Sequence, residues 1–452
     1  MVSRLLIEAC EVVATMDDAG AEIAGGSILI EDGTIAWVGT GDPPAEPDER
    51  LDGRGCVALP GLVNCHHHLY QSLTRVRAQG EGLFGWLVEL YPVWARLDEE
   101  WERAAAAVAL AQLALSGCST STDHHYVFPA GGGDPLEVEI EVARELGLRF
   151  HPCRGSMDLG ASAGGLPPDA VCERTEDALA RSEEAVKRFH DPAPGSMLRI
   201  ALAPCSPFSV THRLMRETAE LARRLGVRLH THLAETLDEE RFCLERFGMR
   251  PTELMDAWGW LGEDVWFAHC VHLSEPDVRR LGETRTGVSW CPSSNLRLGA
   301  GIAPGRALVR AGARVGLGTD GSASNEGAAL SHEVHQALLV SRAAGPEEGL
   351  SAREALRLAT RGGASVLGRD DVGSVEPGKR ADVALFGVDG LGFAGAGTDP
   401  VAALVFGGAE RVRHLLVEGR TVVADGRLVT ADEEELARVG HRAARRIAEG
   451  SG

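Results

Sequence analysis

Lysine is nearly absent from this chain. Its 452 residues include only Lys187 and Lys379, so almost all of the 45 basic side chains are arginine. Taken alone, that is a bias of composition. Paired thiols are missing too: the ten cysteines form no C-x-x-C and show no even spacing. A chain far above the size that needs disulfides is expected to keep such thiols reduced and mostly buried, as in a cytoplasmic protein. The N-terminal run M-V-S-R-L-L-I-E-A-C-E-V-V-A-T-M carries acids inside its apolar stretch and no small-residue cleavage site, and it does not read as a signal peptide. The Ala-rich run around Ala104–Leu115 is interrupted by Gln112 and flanked by charges, which suits a buried helix and not a membrane span. Basic charge is also in deficit, since 66 acidic residues give a formal net charge of -21. That argues against nucleic acid, whose binders concentrate Lys and Arg, and against anionic membranes. A neutral or cationic small molecule is the better-matched partner.

The chain does have strongly patterned ends and a differently patterned middle. In the first 60 residues, G-S-I-L-I-E-D-G-T-I-A-W-V-G predicts a hairpin turning at Asp32-Gly33. The same texture returns after about residue 376, where Asp425-Gly426 predicts another turn. A small β-sandwich module assembled from residues 1–59 and 376–452 is expected, around a central domain of residues 60–375. That centre alternates short apolar runs with helical patterns. Its strand candidates are V-A-L-P-G-L-V-N, S-T-S-T-D, L-R-F-H-P-C, L-R-I-A-L-A-P, V-R-L-H-T-H, V-W-F-A-H, T-G-V-S-W-C and A-R-V-G-L-G-T-D. Between them lie predicted helices, among them 101–116, 175–190, 212–225 and 239–247. Eight strands, each followed by a helix or long loop, predict an α/β fold, a (β/α)8 barrel. A doubly wound sheet is the alternative from pattern alone, but no G-x-G-x-x-G follows the first strand.

Histidine, aspartate, cysteine or asparagine ends almost every one of those strands, and in a barrel these ends converge on one face. His66 and His68, in N-C-H-H-H-L-Y-Q, are two apart, so alternation sends them to one side and His67 to the other. By itself H-x-H is weak. It gains weight from H-T-H-L-A-E at 230–235, A-H-C at 268–270 and G-T-D-G-S-A-S-N at 318–325. Imidazoles with one carboxylate suit a Zn(II) or Fe(II) site with an open position. Spacing leaves both His230 and His232 eligible. Blander roles stand beside these: Glu235 as a helix N-terminal acid, Asp320 as a turn cap, Trp86 as loop packing.

The series P-G-L-V-N-x-H-x-H, H-L-A-E-T, A-H, G-T-D-G-S-A-S-N and P-G-K-R-A-D, running along essentially the whole chain, resembles the amidohydrolase superfamily. The likeness is to its aminohydrolase branch of guanine, cytosine and triazine deaminases. It implies His66, His68, His232 and Asp320 as ligands of one divalent ion, zinc or alternatively iron(II), with Glu235 as proton shuttle and His269 beside the water under attack. Asp320 would also take the water's proton. Binuclear relatives bridge their metals with a carbamylated lysine on the fourth strand, and neither F-H-P-C-R-G-S-M nor L-R-I-A-L-A-P-C contains one. One metal is therefore expected, and with it deamination through a metal-activated hydroxide. The outer motifs N-x-H-H-H-x-Y-Q-x-L-T-R, L-Y-P-V-W-A-R-L, D-H-H-Y-V-F-P, R-G-S-M-D-L-G and C-P-S-S-N-L-R-L resemble 8-oxoguanine deaminases, which implies hydrolysis of 8-oxoguanine to urate and ammonia. Gln71, Trp86, His125 and Arg154 are the expected substrate contacts, a Gln amide being able to donate and accept along a lactam edge. Isoxanthopterin, isocytosine and hydroxylated triazines present a comparable face. A triazine hydrolase is the alternative enzyme, and a metal-free barrel scaffold the alternative outside catalysis. The family often forms homo-oligomers.

Overall fold

A computed structural model describes residues 3–409 and 411–450; the outermost residues of the predicted module, 1–2 and 451–452, lie outside them. Eight parallel strands close into a barrel: β1 (Leu62–Asn64), β2 (Cys118–His125), β3 (Arg149–Ser156), β4 (Ala201–Pro204), β5 (Arg228–Leu233), β6 (Val265–His269), β7 (Gly287–Trp290) and β8 (Arg314–Leu317), with β8 returning to β1. All eight come from the expected runs. The predicted helices appear at Glu99–Leu115, Thr175–Phe189, His212–Leu225 and Leu237–Phe247.

One prediction needs correcting. The run V-A-L-P-G-L-V-N is two strands: Cys56–Pro60 pairs antiparallel with Val383–Gly387 outside the barrel, while Leu62–Asn64 enters it as β1. The break has a local cause. Pro60 has no amide to continue a ladder, and a Cβ on Gly61 would lie 2.3 Å from Ser119 Oγ. Only glycine lets the chain pass from one sheet into the other so close to β2.

Cys56–Pro60 belongs to a seven-stranded sheet that takes Val12–Ala14 and Glu22–Ala24 from the N-terminal part and Val383–Gly387, His414–Val417, Arg420–Ala424 and Arg427–Leu428 from the C-terminal part. A four-stranded sheet carries the hairpin Ser27–Glu31/Thr34–Gly39 around Asp32-Gly33. Ile7, Ile28, Ile30, Ile35, Val383 and Leu385 form one buried cluster between these sheets. The last helix, Glu433–Glu449, leaves this β structure and packs beside the barrel helix Glu99–Leu115. Barrel and module are pinned by Arg149 at the start of β3. Its guanidinium, fully buried, reaches the two Asp382 oxygens at 2.9 and 3.0 Å and the carbonyls of Gly195 and Ser196 at 2.8 Å. Among the described residues no helix is long and apolar enough to cross a membrane.

Candidate metal centre and active site

The strand ends gather a nest of imidazoles whose protonation is dictated by their outer partners. His68 Nδ1 donates to the His124 carbonyl at 2.8 Å, and His232 Nδ1 to the Cys205 carbonyl at 2.6 Å. His230 Nδ1 donates to the Trp266 carbonyl at 2.9 Å, which leaves its Nε2 to accept from His66 Nδ1 at 2.8 Å. His269 Nδ1 donates to Asn295 Oδ1 at 2.9 Å. Since carbonyl oxygens only accept, His66, His68 and His232 carry their protons outside and turn an Nε2 lone pair inward. Burial keeps the set neutral: it lowers His68 to about 4, His232 to about 3 and His66 well below the usual imidazole range. At His269 burial also pulls downward, but the charges of Glu235 and Asp320 outweigh it and hold this imidazole up.

Spacing left His230 and His232 equally eligible, and the hydrogen bonds separate them. His230 spends its inner nitrogen on His66, so it orients a ligand, a role outer partners of metal-binding histidines commonly have. His232 keeps its lone pair free.

Two lone pairs then face each other, with His68 Nε2 and His232 Nε2 3.1 Å apart. His66 Nε2 is buried without a hydrogen-bond partner among the described residues. Asp320 Oδ1 lies 3.3 Å from both His66 Nε2 and His68 Nε2. Opposed acceptors around a carboxylate repel unless a cation lies among them, so this donor set fits a divalent ion held by His66, His68, His232 and Asp320. The remaining oxygen, Asp320 Oδ2, accepts from Ser294 at 2.6 Å and Ser324 at 3.1 Å.

Glu235 enters from the turn after β5, its Oε2 3.6 Å from His269 Nε2, and burial pushes its carboxyl up to about 7. His269 reaches this point through strained backbone. It pairs in register with Leu233, whose side chain belongs to the outer core, so alternation along β6 would turn it outward. A left-handed φ of 71° swings it inward. Ala234 (φ 51°) and Asp320 (φ 60°) are left-handed as well. Non-glycine residues in this region cost about 1–3 kcal/mol each and persist where surrounding structure enforces them. The histidine triplet departs from its sequence rationale similarly: β1 ends at Asn64, so His66–His68 lie beyond the strand and their bonds, not alternation, set their directions. His67 points away and packs, fully buried, 3.9 Å from Asp123.

A cavity over these groups is lined by His68, Glu235, His269 and Asp320 and by the expected contacts Gln71 and Trp86. Trp86 is anchored by an Nε1 bond to the Ala323 carbonyl at 3.2 Å. Two expected contacts are absent from this lining. Alternation along β2 and β3 turns His124 and Cys153 inward, so their register-paired followers His125 and Arg154 face the helices. Arg154 instead bonds Glu173 at 2.7 Å and stacks 3.5 Å over the Phe128 ring. Tyr70 likewise packs against Trp94 and His125. The lining gains Tyr91, Tyr126, Phe208 and Leu298, which sequence reasoning missed. Tyr126 and Phe208 follow inward-leaning strand ends within D-H-H-Y-V-F-P and P-C-S-P-F-S-V, and that position was the available signal. Neither lysine is near: Lys187 pairs with Glu183 and Lys379 with the Asp370 carbonyl.

His125 sits instead in a buried acid cluster. Its Nδ1 is 2.5 Å from Glu139 Oε1 and 3.8 Å from Glu102 Oε2, with Asp123 adjoining; among the described residues neither Glu102 oxygen accepts a hydrogen bond. Burial, reinforced by the charge of Glu139, raises Glu102 and Asp123 well above the usual range, and burial, with the charge of Asp134 adding to it, raises Glu139. Groups with raised folded-state pKa stabilise below their unfolded pKa and lose that contribution as pH climbs toward the folded value. Stability should therefore fall with pH from weakly acidic to alkaline conditions. Each retained proton adds about 1.4 kcal/mol per pH unit to that slope. Glu102→Gln, which keeps the shape without the ionisation, should flatten the slope in denaturant unfolding above the ordinary glutamate range, from about pH 5 upward. Equal slopes in both proteins would refute the assignment.

The amidohydrolase family profile matches residues 57–422. The chain belongs to the amidohydrolase family. It is 49% identical to an 8-oxoguanine deaminase of Pseudomonas aeruginosa, over 94% of this chain and 95% of that one. It is 37% identical to an isoxanthopterin deaminase from an unknown prokaryotic organism, over 96% and 94% of the two chains. Atrazine chlorohydrolase of Arthrobacter aurescens TC1, solved with zinc, superposes with a TM-score of 0.92 at 34% identity, covering 97% of this chain and 100% of that one. As an amidohydrolase with deaminase relatives, this chain is a hydrolytic enzyme of the type that cleaves C–N bonds in cyclic amidines.

Proposed function

We propose that this amidohydrolase deaminates 8-oxoguanine, adding water at the amino-bearing ring carbon and releasing urate and ammonia. The observation that carries the reading is 49% identity along nearly the whole chain to a protein with that activity. The site geometry fits it. We assign the metal as a single zinc ion, because three imidazoles and a carboxylate are zinc donors and a structurally similar hydrolase holds zinc.

When bound, such an ion lowers the pKa of a coordinated water toward neutrality. The remaining work falls to this chain's side chains. Asp320, its Oδ2 steadied by Ser294 and Ser324, takes a proton from the attacking water and returns it to the departing amine. Glu235, protonated near neutrality, donates to the ring nitrogen beside the attacked carbon and recovers a proton from the new hydroxyl as the carbonyl forms and ammonia leaves. His269, fixed by Asn295, orients the water. Gln71 reads the lactam edge while Trp86 and Tyr91 enclose the flat ring.

An ammonia-release screen over aminopurines, pterins, isocytosine and hydroxytriazines tests the substrate. The expected result is a kcat/KM for 8-oxoguanine at least about tenfold above any other, a gap of about 1.4 kcal/mol in transition-state binding. Preference for isoxanthopterin is the second reading, supported by the 37% identical relative, and that result would replace the first.

A further inference from the structure

Glu239 is a fully buried carboxylate with an unusual pair of bonds. It is the third residue of the helix Leu237–Phe247, whose N-cap is Thr236. In a capping box, a Glu at this position returns to the amide of the N-cap residue. Here the carboxylate passes over the N-cap and takes the two amides before it, Ala234 N at 2.8 Å and Glu235 N at 2.9 Å. Those amides flank the left-handed Ala234 that turns the chain out of β5. The other side of the same peptide is held as well: the Ala234 carbonyl accepts from Val271 N at 2.9 Å and His272 N at 2.8 Å, in the loop that follows His269. A strained turn is thus clamped on both sides, and its product is the direction of Glu235.

We infer that Glu239 is a positioning residue for catalysis, a two-point clamp that holds the Ala234–Glu235 turn so that the Glu235 carboxyl faces His269 and the cavity. Two charge-assisted bonds from one planar group fix a peptide more tightly than either alone. Among the described residues no other side chain bonds either amide. The effect on turnover rests on the aminohydrolase reading above; the clamp itself does not.

Glu239→Gln keeps the volume but presents an NH₂ group to one of the two amides, so one bond becomes a clash of donors. In the zinc-loaded variant, kcat should fall about 10- to 100-fold, the usual loss when a supporting partner of an active-site group is removed. KM and metal content should stay near wild type. Thr236→Ala separates positioning from folding: it removes the cap of the same helix, should lower Tm comparably, and should leave kcat within about threefold. Hydrogen–deuterium exchange with site-resolved mass spectrometry reads the clamp without any substrate. In Glu239→Gln the amides of Ala234 and Glu235 should exchange at least about tenfold faster, while those of Thr231–Leu233 remain protected. Unchanged protection at 234–235 would overturn the inference. So would a kcat loss no larger than that of Thr236→Ala at matched Tm. If wild type releases no ammonia from any heterocycle in the screen, the aminohydrolase reading fails, and exchange still decides whether Glu239 clamps the turn.

Discussion

Glu235→Gln is expected to bind metal and substrate as wild type does while kcat falls about 10²- to 10⁴-fold, the range that general acid–base catalysis supplies. Glutamine preserves length and shape and can still bond a ring nitrogen, but it cannot deliver a proton to it. The side chain is not among the atoms that converge on His66, His68, His232 and Asp320, so metal content should be unchanged. Its Oε1 is buried without a partner among the described residues and its Oε2 faces only His269 at 3.6 Å, so no short structural bond is lost with the charge. The loss should therefore appear in kcat with little change in KM, the signature of an interaction made only in the transition state. Steady-state ammonia release with metal analysis of the same preparation makes the measurement. Wild-type turnover in the variant would remove Glu235 from the reaction.

Much of this site was readable before any coordinates, and the reason is geometric. A barrel brings strand ends together, so a polar residue at each end is informative even when the residues are more than 150 positions apart, as His68 and His232 are. Alternation carried less. It failed at His269, where a left-handed residue reverses the side; at His66–His68 it assigned the observed sides although the strand has already ended. It was not applied to His125 and Arg154, which it would have turned outward beside the inward His124 and Cys153. Spacing could not divide His230 from His232, and only the resemblance favoured His232. Both occupy the same side of β5, and only the partner across the barrel, His66, shows which ring has spent its inner nitrogen. The split at Gly61 was hidden in the same way, because a close approach to Ser119 is a property of the packed fold.

Asp320→Asn should be the more damaging substitution, because this carboxylate has two duties at once. Oδ1 faces the Nε2 atoms of His66 and His68 at 3.3 Å, and Oδ2 is steadied by Ser294 and Ser324 as the proton acceptor. An amide removes the basic oxygen, which alone accounts for about 10²- to 10⁴-fold in kcat. It also removes a negative charge from a buried cluster of neutral imidazoles, and metal affinity should fall with it. Oδ1 also accepts from the Gly321 amide at 2.8 Å, so the asparagine oxygen should stay there and present the imidazole lone pairs with a neutral acceptor in place of an anion. The metal-free variant should thus be less dependent on the ion for stability. In wild type, an ion that binds only the folded state stabilises it by mass action, by about 4 kcal/mol at a thousandfold excess over Kd, and Tm rises with it. That rise should shrink in the variant when zinc is restored to chelated protein. A full zinc-dependent rise in Tm together with wild-type turnover would show that Asp320 is neither ligand nor base.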